Sequence, residues 1–536
     1  MTTAEAVVET LLRHGIDTLY GVPGVHNDPL FDACYKVRDR LRVIHTRHEQ
    51  AAAYMALGAA LITGKPQVCA VVPGPGLLNA GAALLTAHGM SAPVLVLAGQ
   101  IVQRAIDRGT GYLHEIRDQA GMARHFTKSA ARINAPHEAP GTVAAAIRTS
   151  LSGKPGPVFV ECAQDTWAIN GPVVFPPMPE PVATPPVDDD AVEAAAQILG
   201  LSERPLIIVG GGAQDASAEV IALAELLEAP VAAYRRGQGV MPATHRLHVN
   251  LPIAHRLWRD ADAAITVGSR MFYPKTQWGT TGLRIVRIDI DPDEPGRQDK
   301  PAAALVGDAK AIVGALLQRL PAHNRPRPSR EAELASHREW MADRFSRFEP
   351  QISLLKAMRS ALPENGVFVD EVTQLGFAAR LAFPVLGPRR FLSPGYQDNL
   401  GWGYGAALGV KAARPDLPVL AIAGDGGFMY QVAELATAVQ HNLAVVVVVF
   451  DNGMFGNVHL IQDQSYGGRH IADRLRNPDF VALARSFGIA AFRADDAHAL
   501  ERTLREAFAV NAPALVHVPC GEMPSPWDMI FMPKVR

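Results

Sequence analysis

PVLAIAGDGGFMYQVAELATAVQHNLAVVVVVFDNG, residues 418–453, holds two apolar runs separated by a stretch of helical character from Phe428 to Gln440. The first run stops at Gly424-Asp425-Gly426-Gly427 and the second at Asp451-Asn452-Gly453. Runs this short and this continuously apolar suit strands covered on both faces. Two such strands joined by one helix lie parallel, and their C-terminal ends meet where open α/β sheets bind ligands. There Asp425 offers a hard carboxylate oxygen and Asn452, 27 residues further on, an amide oxygen. With backbone and phosphate oxygens they suit an octahedral Mg²⁺ ion. Gly424, Gly426 and Gly427 let backbone N–H groups approach a diphosphate, whose charge the following helix start favours. A bare Gly-Asp-Gly is a weak sign; the strand, helix and Asp-Asn-Gly at this spacing make it specific.

The same rhythm extends in both directions. The 536 residues predict three or four domains at roughly 150 residues each. Apolar strands are expected at Arg42–Ile44, Gln67–Val72, Val94–Ala98, Val158–Glu161, Leu206–Val209, Ala263–Val267, Arg284–Asp289 and Val367–Asp370. Ala-rich helices such as Glu49–Ile62 and Leu77–His88 alternate with them. The fold class is α/β, with three doubly wound domains built on mainly parallel sheets. The division is 1–170, a Pro-rich linker 171–189, a central domain 190–322, a polar linker 323–350 and a C-terminal domain 351–536. With 51 Lys+Arg against 53 Asp+Glu, the net charge of −2 gives no basic excess for nucleic acid. No apolar run approaches a membrane span, and the N-terminus MTTAEAVVETLLRHGI is not a signal peptide. The four scattered cysteines predict buried thiols in a reducing, cytoplasmic compartment.

Gly424-Asp425-Gly426 and Asp451-Asn452, together with HGIDTLYGVPG, TRHEQAAAYMALGAA, VPGPGLLN, VRIDIDPDE and NLGWGYGAALGV, resemble the thiamine-diphosphate-dependent enzymes. The nearest group is the superfamily of acetolactate synthase, pyruvate oxidase, benzoylformate decarboxylase and benzaldehyde lyase, and the resemblance covers nearly the whole chain. It names the three domains as pyrimidine-binding, central and diphosphate-binding. It implies thiamine diphosphate and Mg²⁺ as cofactors, with Asp425, Asn452 and the main-chain oxygen of Met454 as metal ligands. Aspartate at 451 departs from the usual asparagine pair. Glu49, in Thr46-Arg47-His48-Glu49-Gln50, matches the glutamate that exchanges a proton with the pyrimidine ring. It also follows a strand and opens an apolar helix, a setting expected to be desolvated and to raise its pKa. Leu400 matches the apolar residue that bends the cofactor. Thr373, Pro23 and Asn79 fall at further cofactor positions. The family pairs Glu49 and the metal site across subunits, which implies a homodimer or homotetramer.

On the substrate side the resemblance places His26 and His114 near the reacting carbon; histidine moves protons near neutral pH. The relatives usually carry glutamine at the second position. Ile461 stands where acetolactate synthases carry an acceptor-selecting tryptophan. The flavin loop is poorly kept in LPIAHRLW, and Gly210-Gly211-Gly212 alone is a weak dinucleotide sign, so FAD is not assigned. The resulting expectation is a decarboxylating carboligase of the acetolactate synthase type, joining 2-oxo acids or aldehydes through an enamine. A plain 2-oxo acid decarboxylase and an acyloin lyase are the alternatives. A nicotinamide or flavin oxidoreductase would leave the Asp425/Asn452 pair unexplained. A non-catalytic relative should have lost Glu49 or a metal ligand, and both are kept.

Overall fold

A computed structural model describes residues 1–177 and 184–536; residues 178–183 of the expected Pro-rich linker lie outside the described residues. Eighteen strands form three six-stranded sheets in which every pairing is parallel. The first contains β1 (Thr18–Gly21), β2 (Arg42–His45), β3 (Gln67–Val71), β4 (Val94–Gln100), β5 (Ala130–Ile133) and β6 (Val158–Ala163), in the order β2-β1-β3-β4-β6-β5. The second contains β7 (Pro205–Val209), β8 (Val231–Ala233), β9 (His248–Val249), β10 (Ala263–Val267), β11 (Arg284–Asp289) and β12 (Ala303–Val306), in the order β12-β11-β10-β7-β8-β9. The third contains β13 (Val367–Val369), β14 (Phe391–Leu392), β15 (Val419–Gly424), β16 (Val445–Asp451), β17 (Ala490–Arg493) and β18 (Ala514–Pro519), in the order β14-β13-β15-β16-β18-β17.

The first and third sheets thus share one strand order, with the reversal between the first and third strand of each. The central sheet has the order of dinucleotide folds, with its reversal between β7 and β10. Both rules place ligands at those crevices. The expected strands match the observed ones to within two residues at each end, and the apolar run that begins at Pro418 is strand over Val419–Gly424. The short strands β5, β8, β9, β14 and β17 carry too few residues to show a period.

One apolar core joins the first and third sheets through the helices Glu49–Thr63 and Gly403–Ala413. They cross at glycines: a Cβ on Gly58 would lie 2.1 Å from the Ala406 carbonyl oxygen, and one on Gly409 2.0 Å from that of Met55. A second core fills the central sheet. The segment 323–350 contains a helix, Glu331–Phe345, whose Leu334 and Met341 join that central core. The helix expected from Phe428 to Gln440 is corrected to two, Asp425–Met429 and Glu434–Gln440, with a turn between them. The break lets buried Glu434 accept the Arg47 and His48 N–H groups just before Glu49, and buried Gln431 donate to Gln50 just after it. Among the described residues no helix is long and apolar enough to cross a membrane.

Candidate functional site

β15 and β16 pair in register up to Gly424 and Phe450, which brings Asp425 and Asn452 to one end of the sheet. They line a cavity of about 160 Å³ together with Thr373, Leu400, Gly424, Gly426, Gly427 and Met454. All the sequence-expected diphosphate and metal residues therefore meet in one place. Two helices of useful length, Gln374–Ala382 and Gly456–Tyr466, begin at this cavity. Their free N–H groups and dipoles suit a diphosphate. Thr373 caps the first by accepting the Gly376 N–H at 2.7 Å, which still leaves its O–H to donate. Space requires the glycine at 426. A Cβ on Gly426 would stand 2.5 Å from the Phe455 ring.

Burial raises the pKa of Asp425, and neighbouring Asp451 adds to the rise. Asn477 donates to both carboxylates, at 2.6 Å to Asp425 and 2.7 Å to Asp451, and His517 Nε2 lies 3.1 Å from the second Asp451 oxygen. Asn477 and His517 were not legible in the sequence: they stand 26 and 66 residues from Asp451. They give the aspartate at 451 its partners. The Asp425 carboxylate, the Asn452 amide and the Met454 main chain offer hard oxygens at one cavity, so the donor set fits a hard divalent ion. Glu371 is a further residue at this site. It is fully buried, burial pushes its pKa up to about 8, and its carboxyl accepts the N–H groups of Gly403 at 2.9 Å and Val372 at 3.1 Å. It thereby ties the end of β13 to the start of the Gly403–Ala413 helix, next to Leu400.

The other candidate residues gather at the matching crevice of the first sheet. Glu49 opens the Glu49–Thr63 helix after β2, and Asn79 donates to its Oε2 at 3.0 Å. Oε1 faces Gly76, whose missing Cβ would lie 3.5 Å from it. Glu434 accepts the N–H groups of Arg47 and His48 at 3.2 and 3.1 Å and so anchors the loop just before Glu49. Pro23 is exposed in the turn after β1, and Gly24 beside it packs on Val72. His26 is buried and stacks on His114, ring centres 4.9 Å apart and 25° from parallel. His26 Nε2 lies 3.0 Å from the Leu113 carbonyl, which can only accept, so Nε2 carries the proton. Nδ1 is left as a lone pair without a partner. Burial, with His114 adding to it, holds the pKa of His26 below the usual range and keeps the ring neutral. His114 sits at φ 64°, in a loop whose N–H groups from Gly109 to Tyr112 all donate to Glu115.

Within one chain the two groups stay apart: the diphosphate cavity is lined entirely by residues from 372 onward. Glu49 is only half-buried. Ile461 lies exposed on the Gly456–Tyr466 helix that starts at the cavity. A larger cleft of about 630 Å³ opens at the reversal of the central sheet. Gly210, Gly211 and Gly212 line it, with Arg236, Arg270 and Tyr396. Cys34, Cys69 and Cys162 are buried free thiols; Cys520 is half-buried at the smaller cavity and burial pushes its thiol up to about 12.

Comparison with known proteins covers all three sheets. Residues 1–122, 192–316 and 371–518 match the N-terminal TPP binding, central, and C-terminal TPP binding domains described for thiamine pyrophosphate enzymes. A "Probable 2-ketoarginine decarboxylase" of Pseudomonas aeruginosa is 32% identical over 97% of this chain and 94% of its own length. A "Probable acetolactate synthase large subunit" of Methanocaldococcus jannaschii is 32% identical over 97% and 92%. The acetolactate synthase isozyme 1 large subunit of Escherichia coli is 29% identical over 96% and 93%.

Proposed function

The chain belongs to the thiamine pyrophosphate enzyme family, and we propose that it is a Mg²⁺-dependent carboligase that decarboxylates one 2-oxo acid and joins the remainder to a second carbonyl compound. The observation that carries the proposal is the gathering of Asp425, Asn452, Met454, Leu400 and the three glycines around one cavity, with Glu49, Asn79, His26 and His114 at the equivalent crevice. Several relatives are acetolactate synthases by name, which supports ligation over simple release of an aldehyde. Ile461 in place of the tryptophan, and the relative named for 2-ketoarginine decarboxylation, favour one second reading, a 2-oxo acid decarboxylase.

Thiamine diphosphate, when bound, supplies a carbon nucleophile that adds to the 2-oxo group and accepts the electrons released with CO₂. The protein's part is position and protons. Asp425, Asn452 and the Met454 main-chain oxygen would hold the Mg²⁺, and the helix starts at Gln374 and Gly456 would hold the diphosphate. Leu400 would press the two rings together. Glu49, with Oε2 held by Asn79 and Oε1 open past Gly76, would pass a proton to and from the pyrimidine nitrogen. The free lone pair of His26 Nδ1 would take up a proton from the substrate side and return it to the new alkoxide.

The separation of the two groups within one chain supports a homodimer with composite sites. Leu78 and Leu85 on the Pro75–Gly89 helix are exposed, as are Met429 and Tyr430 beside the diphosphate loop, and would be covered in it. The central cleft has the size and the glycine turn for a nucleotide, and the proposal gives it no step in the chemistry. The reading is tested by incubating the protein with thiamine diphosphate, Mg²⁺ and pairs of 2-oxo acids and aldehydes, with products identified by NMR. Acyloins or 2-hydroxy-2-acyl acids formed with CO₂ support it. Aldehyde as sole product would assign the decarboxylase instead, and no CO₂ from any 2-oxo acid would overturn both.

A further inference from the structure

We propose that His459, His470 and Asp473 form a second cation site, suited to a zinc-type divalent ion and separate from the one at Asp425. His459 lies on the Gly456–Tyr466 helix and His470 in the loop after it, and their rings stack 4.0 Å apart and 17° from parallel. Both turn Nδ1 toward the same oxygen of Asp473, at 2.6 Å for His459 and 3.5 Å for His470. Their Nε2 edges face other carboxylates. Asp463 lies 2.8 Å from His470 and 3.6 Å from His459, and Glu522 lies 3.5 Å from His459. Asp473 accepts the His459 Nδ1–H at 2.6 Å and Asp463 accepts the His470 Nε2–H at 2.8 Å, which leaves the His470 Nδ1 lone pair facing Asp473.

The His470 lone pair and the shared Asp473 oxygen therefore face each other 3.5 Å apart, a repulsion that no hydrogen bond between them offsets. Moving the His459 proton to Nε2, which faces Asp463 and Glu522, frees its Nδ1 as well. One divalent ion then relieves the repulsion with both rings neutral. Two nitrogens, one oxygen and an open fourth position are a zinc-like donor set, and outer carboxylates on the far ring nitrogens are the usual support. The three donor atoms lie within 4.8 Å of one another, so the roughly 3.3 Å ligand spacing around a tetrahedral ion needs only small side-chain shifts. His459 and Asp473 are buried, so two of the three ligands are already held in place.

The placement gives the ion a task. The Asp473 carbonyl accepts the Phe455 N–H at 2.7 Å, and the Leu475 N–H donates to Gly453 at 2.7 Å. The segment around Asp473 is thus laid along the loop that carries Asn452 and Met454. An ion linking Asp473 to His459 and His470 would fasten that segment over the diphosphate cavity.

The test uses the holoenzyme with thiamine diphosphate and Mg²⁺ saturating, titrated with Co²⁺ and followed by its visible spectrum. The expected result is one further Co²⁺ per chain with the intense bands of tetrahedral coordination, displaced by Zn²⁺. His470→Gln, a change at an exposed position, should weaken that binding by more than about tenfold. His459→Asn should do the same, with circular dichroism confirming the fold. Absence of tetrahedral bands would overturn the proposal, as would identical Co²⁺ binding by His470→Gln and the wild type.

Discussion

Gly58→Ala places a methyl group where the helices Glu49–Thr63 and Gly403–Ala413 touch. The new Cβ would stand 2.1 Å from the Ala406 oxygen and 2.8 Å from its carbonyl carbon, both backbone atoms of a buried helix. No rotamer relieves that contact, so the helices must part by about 1 Å, the shortfall from ordinary van der Waals distance. Overpacking of this kind costs about 1–3 kcal/mol, against a gain of about 0.5–1 kcal/mol from replacing a helix glycine. The net loss is about 1–2 kcal/mol, which at about 2–4 °C per kcal/mol lowers the melting midpoint by roughly 2–8 °C. The separated helices lead to Glu49 on one side and Leu400 on the other, and an ångström there can cost a further factor of about 10² in turnover. Gly409→Ala acts on the same crossing, with its Cβ 2.0 Å from the Met55 oxygen. The double variant should therefore lose less than the sum of the two, since the first change has already opened the gap. The assay is thermal unfolding followed by tryptophan fluorescence, alongside turnover. A midpoint raised by Gly58→Ala, as helix propensity alone would give, would refute the reasoning.

The remaining predictions concern charge and assembly. Glu371 keeps a proton in the folded state up to about pH 8, whereas the unfolded carboxyl loses it near its ordinary 4.5. The folded state binds the extra proton, so stability falls as pH rises through that window, by up to a few kcal/mol at about 1.4 kcal/mol per unit. Glu371→Gln should flatten the dependence of the urea midpoint on pH; an unchanged slope would show that Glu371 does not titrate there. Asp425→Ala removes the only charged side chain among the three metal ligands and should abolish Mg²⁺-dependent retention of thiamine diphosphate in equilibrium dialysis, with retained binding counting against the assignment. Mixed after mild subunit exchange, Glu49→Gln and Asp425→Ala should recover about a quarter of wild-type activity, because half the dimers are mixed and each carries one intact site. No recovery despite demonstrated exchange would place the whole site within one chain.

The diphosphate half of the site was legible because its residues sit at strand ends. Glycine turns after apolar runs mark such ends locally, and Asp425 and Asn452 flank adjacent strands. Glu49 was read from the family resemblance and from its place after β2, and His26 from the resemblance. Asn477 and His517 carry no such mark, since only the packing of later segments brings them to Asp451. Glu371 stands two residues before Thr373, but its burial and its bond to Gly403 follow from tertiary packing. The break between Met429 and Glu434 was missed because the helical period of Phe428–Gln440 continues through it, and the buried contacts of Gln431 and Glu434 decide it. The shared strand order of the first and third sheets leaves no trace in the residues, because similar α/β rhythms arise from unlike sequences. Glu49 was expected to be desolvated; a single chain leaves it half-buried, and in the proposed homodimer a second copy would supply the covering face.

The most direct test of the account is exchange of the thiazolium C2 proton of bound thiamine diphosphate with deuterium, followed by NMR after quenching in acid. Wild-type protein with Mg²⁺ should exchange it far faster than free cofactor, and Glu49→Gln should slow that exchange by about 10²–10⁴ while the cofactor stays bound. Exchange at the wild-type rate in Glu49→Gln would remove Glu49 from the proton path and contradict the account.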